Sequence, residues 1–259
     1  MTQEIFSMQQ FDLTGKVAII TGGASGLGQY YTKALSTAGA DVLVISRSQK
    51  GWDDIKAHAK VTGHRAEFLA IDITADEAAD QIVAYATTVF GKIDILVNNA
   101  GMTIRHEWDE FPKEDWNKVI NLNLNALYYL SQAVAKVMAT QESGKIINIA
   151  SMQAYRAGKF IYPYAASKHG VVGLTKAYAD ALAAHNIQVN AIAPGYVNTD
   201  MTKPLQEDPV RGPEILNHIP AGHWADPSEL MGVVVFLASD AASYVTGVTL
   251  PVDGGYLLR

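Results

Sequence analysis

Short apolar runs rich in β-branched residues alternate with longer segments of helical period along nearly the whole chain. The runs at 16–21, 41–46, 66–71, 93–98, 145–150, 187–193 and 248–252 show little apolar–polar alternation. That pattern predicts strands covered on both faces. Between them, segments at about 26–38, 50–62, 75–90, 114–140, 162–184 and 227–238 carry apolar residues at helical spacing. Strand and helix in regular alternation predict right-handed crossovers and a parallel sheet. Thr74 followed by Glu77 predicts a capped start for the third helix. Asp226-Pro227 with Glu229 predicts one for the last. Only 194–224 breaks the rhythm, with Pro194, Pro204, Pro209, Pro213 and Pro220. An irregular stretch of that length inside a compact domain predicts a functional loop, here a substrate lid. No linker composition or internal repeat divides the chain, so one α/β domain is expected.

Composition narrows the classes. The 259 residues are 49% hydrophobic and 18% charged, enough for a large buried core and against wholesale disorder. A net charge of −6 with no basic run offers nucleic acid no attractive field. The chain has no cysteine, which excludes disulfides and thiolate metal sites and suits a cytoplasmic location. Residues 1–10 lack the basic start and apolar core of a secretory signal. The longest apolar runs are strand-length, so no membrane span is expected. The seven histidines are scattered, and no metal site is expected.

The first strand runs into Thr21-Gly22-Gly23-Ala24-Ser25-Gly26-Leu27-Gly28, and a helix follows. Glycines at 22, 26 and 28 let the backbone turn sharply and approach a pyrophosphate. The helix N-terminus supplies free N–H groups and a favourable dipole. At this place in an α/β chain, the turn points to a dinucleotide. No Gly-Lys-Ser/Thr follows, which speaks against a nucleoside triphosphate loop. The second strand ends in Ser46-Arg47-Ser48, with an arginine where an NAD enzyme usually presents an acid. Arg47 matches a 2′-phosphate, so NADP(H) is favoured over NAD(H). Asp53 and Asp54, a little further on, keep NAD(H) open.

Ser151, Tyr164 and Lys168 form the chemically richest group. On a helix, Tyr164 and Lys168 stand one turn apart on the same face. An ammonium beside a phenol favours the phenolate, drawing a pKa that starts near ~10 toward neutrality. A nearby serine hydroxyl can hold the substrate oxygen that exchanges the proton. Asn121, Asn123 and Asn125 are three candidates for a further polar role, and their spacing cannot put all three on one face.

Together these motifs resemble the short-chain dehydrogenase/reductase family over about residues 12–255. The resemblance is carried by Thr21-Gly22-x-x-x-Gly26-x-Gly28, Asn98-Asn99-Ala100-Gly101, the Ser151, Tyr164 and Lys168 set, and Pro194-Gly195-Tyr196-Val197-Asn198-Thr199. It implies a single-domain Rossmann fold over 1–259, with a seven-stranded parallel sheet in the order 3-2-1-4-5-6-7 and helices on both faces. It implies hydride transfer between a nicotinamide and a carbonyl carbon. Ser151 would hold the substrate oxygen and Tyr164 would give or take its proton. Lys168 would lower the Tyr164 pKa and bind the nicotinamide ribose. Of the three asparagines the resemblance selects Asn123, as part of a proton wire, and it marks Tyr162 as a decoy. Around the cofactor it implies Gly22, Ser25, Gly26, Leu27 and Gly28 at the turn, then Arg47, Asp72, Ile73, Asn98, Ala100 and Gly101. Tyr164, Lys168, Pro194, Gly195, Val197 and Thr199 complete that set. Val252-Asp253-Gly254-Gly255 is read as a structural turn near a subunit interface. A homotetramer or homodimer is expected, pairing the 114–140 and 162–184 helices through positions such as Val171, Leu174 and Tyr178.

Within the family, several stretches are similar to bacterial sugar-acid dehydrogenases. The types concerned are 2-deoxy-D-gluconate 3-dehydrogenase (2-dehydro-3-deoxy-D-gluconate 5-dehydrogenase) and gluconate 5-dehydrogenase. Gly144 to Met152, Asn190 to Tyr196 and Ile219 to Trp224 carry that likeness. A sugar acid needs a cation for its carboxylate, and Arg105 is the first choice. Where such relatives often have two arginines, this chain has Arg105-His106. Arg156, Lys203, Arg211 and His223 are second choices, and Arg259 is a further one from a neighbouring subunit. A 3-oxoacyl-carrier-protein reductase or general ketone reductase is the alternative enzyme, although no basic docking patch is evident. A dinucleotide-sensing regulatory protein is the non-enzyme alternative. A sugar-nucleotide epimerase would need a C-terminal domain for which the chain has no room.

Overall fold

Both faces of the central strands are apolar because both are buried. In β1 (Val17–Thr21), Ile19 belongs to one core and its neighbour Ile20 to the other. Each such fully buried side chain contributes roughly 1.5–3 kcal/mol. The computed structural model describes residues 7–259. The remaining strands are β2 (Asp41–Ser46), β3 (Ala66–Ala70), β4 (Ile95–Asn98), β5 (Gly144–Ile149), β6 (Ile187–Pro194) and β7 (Thr249–Val252). All pair in parallel, in the order β3-β2-β1-β4-β5-β6-β7. Chain order reverses between β1 and β4, where Ile20 lies between Val44 and Val97. A crevice at the carboxyl ends of such strands is where ligands bind in open α/β sheets.

The helices are α1 (Gly26–Thr37), α2 (Trp52–Thr62), α3 (Ala78–Phe90), α4 (Lys113–Ile120), α5 (Ala126–Gln141), α6 (Tyr162–Leu182), α7 (Lys203–Gln206), α8 (Arg211–His218) and α9 (Met231–Ala238). Tyr31 and Leu35 of α1 and Val234 and Leu237 of α9 pack with Ile20 and Val97. Ile82 of α3 and Leu130 and Val134 of α5 pack with Ile19 and Leu96 on the opposite side. Among the described residues, no helix is long and apolar enough to cross a membrane.

Four local expectations change. Thr74 does not cap α3: its hydroxyl and N–H both go to Asp72 Oδ1, at 2.7 and 2.9 Å. That turn delays the helix to Ala78. The predicted helix at 114–140 is divided by a π-turn at Asn121–Asn125, where the Ala126 N–H reaches back to the Asn121 carbonyl. The stretch 194–224 is not wholly irregular, because α7 and α8 lie within it. Val171 is fully buried with Leu127, Ala191 and Ala193 rather than exposed. Val171, Thr175 and Ala179 form the inward stripe of α6, at four-residue steps. Leu174 and Tyr178 flank it, half-buried. The expected start of the last helix is present: Asp226 and Glu229 form a reciprocal capping box around Pro227.

Candidate active site

The turn after β1 is shaped by what its glycines allow. Gly22 and Gly26 have φ of 64° and 51°, in the left-handed region. A side chain on Gly26 would meet nothing within 4 Å, so it would stand in the open space above the turn. At Gly28 a Cβ would lie 2.2 Å from the Gly22 carbonyl oxygen, so only glycine lets α1 pack on its own turn. Asn99 fastens this turn to the end of β4. Its Nδ2 donates to the Thr21 carbonyl at 2.9 Å, and Thr21 Oγ1 accepts from the Asn99 and Ala100 N–H groups.

A cleft of about 350 Å³ opens over this turn. Gly22, Ser25, Gly26 and Leu27 line it from β1 and α1, and Ala100 and Gly101 line it from the end of β4. Pro194, Gly195, Val197 and Thr199 form the wall beyond β6. Ser151, Tyr164 and Lys168 close the inner end. Most of the expected cofactor set is thus brought together. Asn98 is not: it is buried, and its Nδ2 donates to Ser131 Oγ and Asn148 Oδ1, stitching β4 to α5 and β5. Asn99, next in sequence, lines the cleft in its place, along with Ile149, Ala150, Asp200, Met201 and Thr202. The parity of β4 was the signal for Asn99, since neighbouring residues point to opposite sides. Thr202 pins its loop, accepting from the Thr199 N–H and donating to the Val197 carbonyl.

Arg47, Asp72 and Ile73 do not line this cleft. They follow β2 and β3, which are neighbours in the sheet. Arg47 lies 3.9 Å from Asp72, with 76% of its side chain exposed. Hydrogen bonds from Thr74, helped by Arg47, hold the Asp72 carboxyl below the usual range.

Lys168 is 4% exposed, and its Nζ donates to the Ile149 carbonyl at 2.6 Å. Burial drives its pKa down to about 8. The ammonium lies 5.6 Å from the centre of the Tyr164 ring, one helical turn away. Burial also pushes the Tyr164 phenol up, while Ser151 and the Arg105 guanidinium act in the opposite direction. Arg105 thus adds a second favourable charge at Tyr164, one that the Tyr–Lys spacing did not suggest. Ser151 follows β5 in extended conformation, and its Oγ accepts the Gln153 N–H at 3.1 Å.

The π-turn sorts the three asparagines. Asn123 faces inward and is 1% exposed. Its amide accepts the Met102 N–H and donates to the Met102 carbonyl and to Ser167 Oγ. Asn121 and Asn125 bond to each other outside. A side chain on Gly101 would meet Asn123 Oδ1 at 3.3 Å and Lys168 Nζ at 3.7 Å, so these two groups flank one small space. Tyr162 packs edge-on against Phe111, away from this set.

A second cleft, of about 380 Å³, meets the first at Ser151 and Tyr164. Arg105, Arg156 and Arg211 line it. The loop carrying Arg105 is fixed by His106, whose N–H donates to the Phe160 carbonyl and whose ring pairs with Asp115 at 2.8 Å. Burial first, and the charge of Arg211 second, lower the Arg105 pKa. Lys203 and His223 do not line this cleft; they pair with Glu207 and Glu229. Arg259 meets His218 through its carbonyl oxygen and does not line this cleft.

The chemistry available at the junction is proton exchange at an oxygen held between a serine and a tyrosine. A glycine-shaped crevice lies on one side and a cationic cleft on the other. Comparison with known proteins agrees with this arrangement. A family model described as enoyl-(acyl carrier protein) reductase matches residues 22–257. The uncharacterized oxidoreductase YgcW of Escherichia coli K12 is 46% identical over 98% of this chain and 97% of its own. The 2-dehydro-3-deoxy-D-gluconate 5-dehydrogenase of the same strain is 45% identical over 97% of this chain and 99% of its own. The crystal structure of a gluconate 5-dehydrogenase from Burkholderia cenocepacia J2315, in complex with NADP and tartrate, superposes with a TM-score of 0.92. It is 35% identical and covers 97% of this chain and 98% of that one.

Proposed function

The chain belongs to the short-chain dehydrogenase/reductase family and is an NAD(P)-dependent oxidoreductase acting on CH–OH groups, and we propose that its substrate is a sugar acid. The observation that carries this reading is the meeting of the two clefts at Ser151 and Tyr164, with Arg105 beside them. NADP(H), when bound in the first cleft, supplies or accepts the hydride. Ser151 Oγ holds the reacting oxygen. Tyr164 Oη, kept protonated by burial, gives its proton to that oxygen in reduction and takes one back in oxidation. Lys168, anchored on the Ile149 carbonyl, holds the nicotinamide ribose and supplies positive charge when protonated. Asn123 keeps the Met102 backbone and Ser167 in place beside it. Arg105 takes the carboxylate of the substrate.

NADP(H) is favoured over NAD(H) because an exposed arginine, rather than an acid, follows β2. Asp54 of α2 is engaged by Gln29 at 3.3 Å. A homotetramer or homodimer is part of the same reading, supported by Tyr129 standing 58% exposed on α5. So is a cytoplasmic location, which fits a chain without cysteine.

The test is Arg105→Gln with a keto sugar acid and an uncharged ketone side by side. KM for the acid rises by about tenfold to hundredfold, as expected for a lost charge-assisted contact, and KM for the ketone changes little. Equal losses on both would argue against a carboxylate contact.

A further inference from the structure

The second cleft holds more positive charge than a single carboxylate needs. Arg105, Arg156, Lys159 and Arg211 line it, against one carboxylate, Glu214. Among the described residues, none of these four cations has a carboxylate within ion-pair distance. They reach the cleft from separate places: the loop after β4, the segment after β5, and α8. Gathering unpaired cations there is costly in the free protein, since like charges repel and burial removes water. Arg105 shows both effects, with Arg211 as the repelling neighbour. A ligand with complementary charge offsets that cost.

The cations also differ in their surroundings. Arg105 is the one whose charge reaches the Tyr164 phenol. Arg156 is held by an aromatic ring. Its guanidinium sits 4.8 Å over the Tyr256 ring, and Tyr256 stands edge-on to Tyr196 at 5.2 Å. Arg156 is thus stacked on an aromatic wall of the cleft, as a cation carried on a different segment from Arg105.

We propose that the substrate is a dianion: a polyhydroxy keto acid with its carboxylate on Arg105 and Arg211 and a second anionic group, at the far end of its carbon chain, on Arg156. This rests on the sugar-acid reading above and narrows it. A singly charged sugar acid leaves Arg156 without a partner. A keto-aldarate, with a carboxylate at each end, and a terminally phosphorylated keto-aldonate both satisfy it.

The experiment compares kcat/KM, with NADPH, for four compounds of matched carbon skeleton. They are a neutral ketose, a keto-hexonate, a keto-hexarate and a keto-hexonate phosphorylated at its far end. The expected result is that at least one dianion exceeds the monoanion by about tenfold or more. The better of the two identifies the second group as carboxylate or phosphate. In Arg156→Gln the dianion-to-monoanion ratio falls to within about threefold of unity. A monoanion that matches or exceeds both dianions overturns the proposal, and so does an unchanged ratio in Arg156→Gln. The wild-type series decides the question even if that variant does not fold. If no acid outperforms the neutral ketose, the sugar-acid reading itself falls, which is a separate result.

Discussion

The two clefts that meet at Ser151 and Tyr164 are built from different materials. The first is made largely of backbone: a glycine turn, strand ends, and loops tied by Asn99 and Thr202. The second is made of long charged side chains and aromatic rings carried on loops and on α8. Backbone geometry tolerates little change, so the first cleft sets the reaction. Side chains on loops vary without disturbing the sheet, so in the proposed reading the second sets the substrate. Changes in the first should act on all substrates alike, and changes in the second should separate one substrate from another.

The largest expected effect lies in the glycine turn. Gly28→Val puts Cβ within 2.2 Å of the Gly22 carbonyl, so the turn must open. NADPH binding, followed by fluorescence titration, should be lost for every substrate tested. Retained affinity would show that the turn does not form the cofactor cleft.

Lys168→Met comes next. Turnover should fall by about a hundredfold or more, through loss of the charge beside Tyr164. Stability should move the other way. Burial pushes Lys168 down to about 8 in the folded protein, from an ordinary value near 10.5. That depression means the buried ammonium destabilises the fold by about 3 kcal/mol below pH 8, a cost relieved as pH rises toward 10.5. Between those values the unfolded chain binds more protons, so wild-type stability increases with pH. Lys168→Met should be more stable than wild type at pH 7, and its own profile should be flatter across that window. Denaturant midpoints measured from pH 7 to 10 check both signs.

A smaller effect is expected at Arg47, which lies outside the cleft proper and is mostly exposed. Arg47→Ala should weaken NADPH by about tenfold while leaving NADH nearly unchanged. Equal effects on the two cofactors would remove the basis for preferring NADP(H).

The contrast between the clefts also governs what the sequence discloses. The order of strands and helices is legible because both periods are written in apolar residues, as Ile19 and Ile20 illustrate by serving opposite cores. The glycine turn is legible because few residues other than Gly accept the φ at 22 and 26. Asn98 and Asn99 are harder to tell apart. Both are polar at a strand end, and only the pleat decides which one reaches the cleft. Val171 is misplaced for a similar reason: exposure on α6 depends on the angle at which the helix meets β6. The gathering of Arg105, Arg156 and Arg211 is legible only in part: all three are among the candidates read from the sequence, but so are Lys203 and His223, which stay outside the cleft. These residues are far apart in the chain, and their meeting depends on loop paths and on α8, a helix hidden in a proline-rich segment.

The most direct measurement follows NADPH oxidation over a panel of keto sugar acids, with wild type and Tyr164→Phe assayed in parallel. The account predicts that at least one acid is reduced by wild type more efficiently than a neutral ketose. It predicts that Tyr164→Phe loses about a thousandfold in kcat while binding NADPH normally. Substantial turnover by Tyr164→Phe, or a wild type that reduces none of the acids, would contradict it.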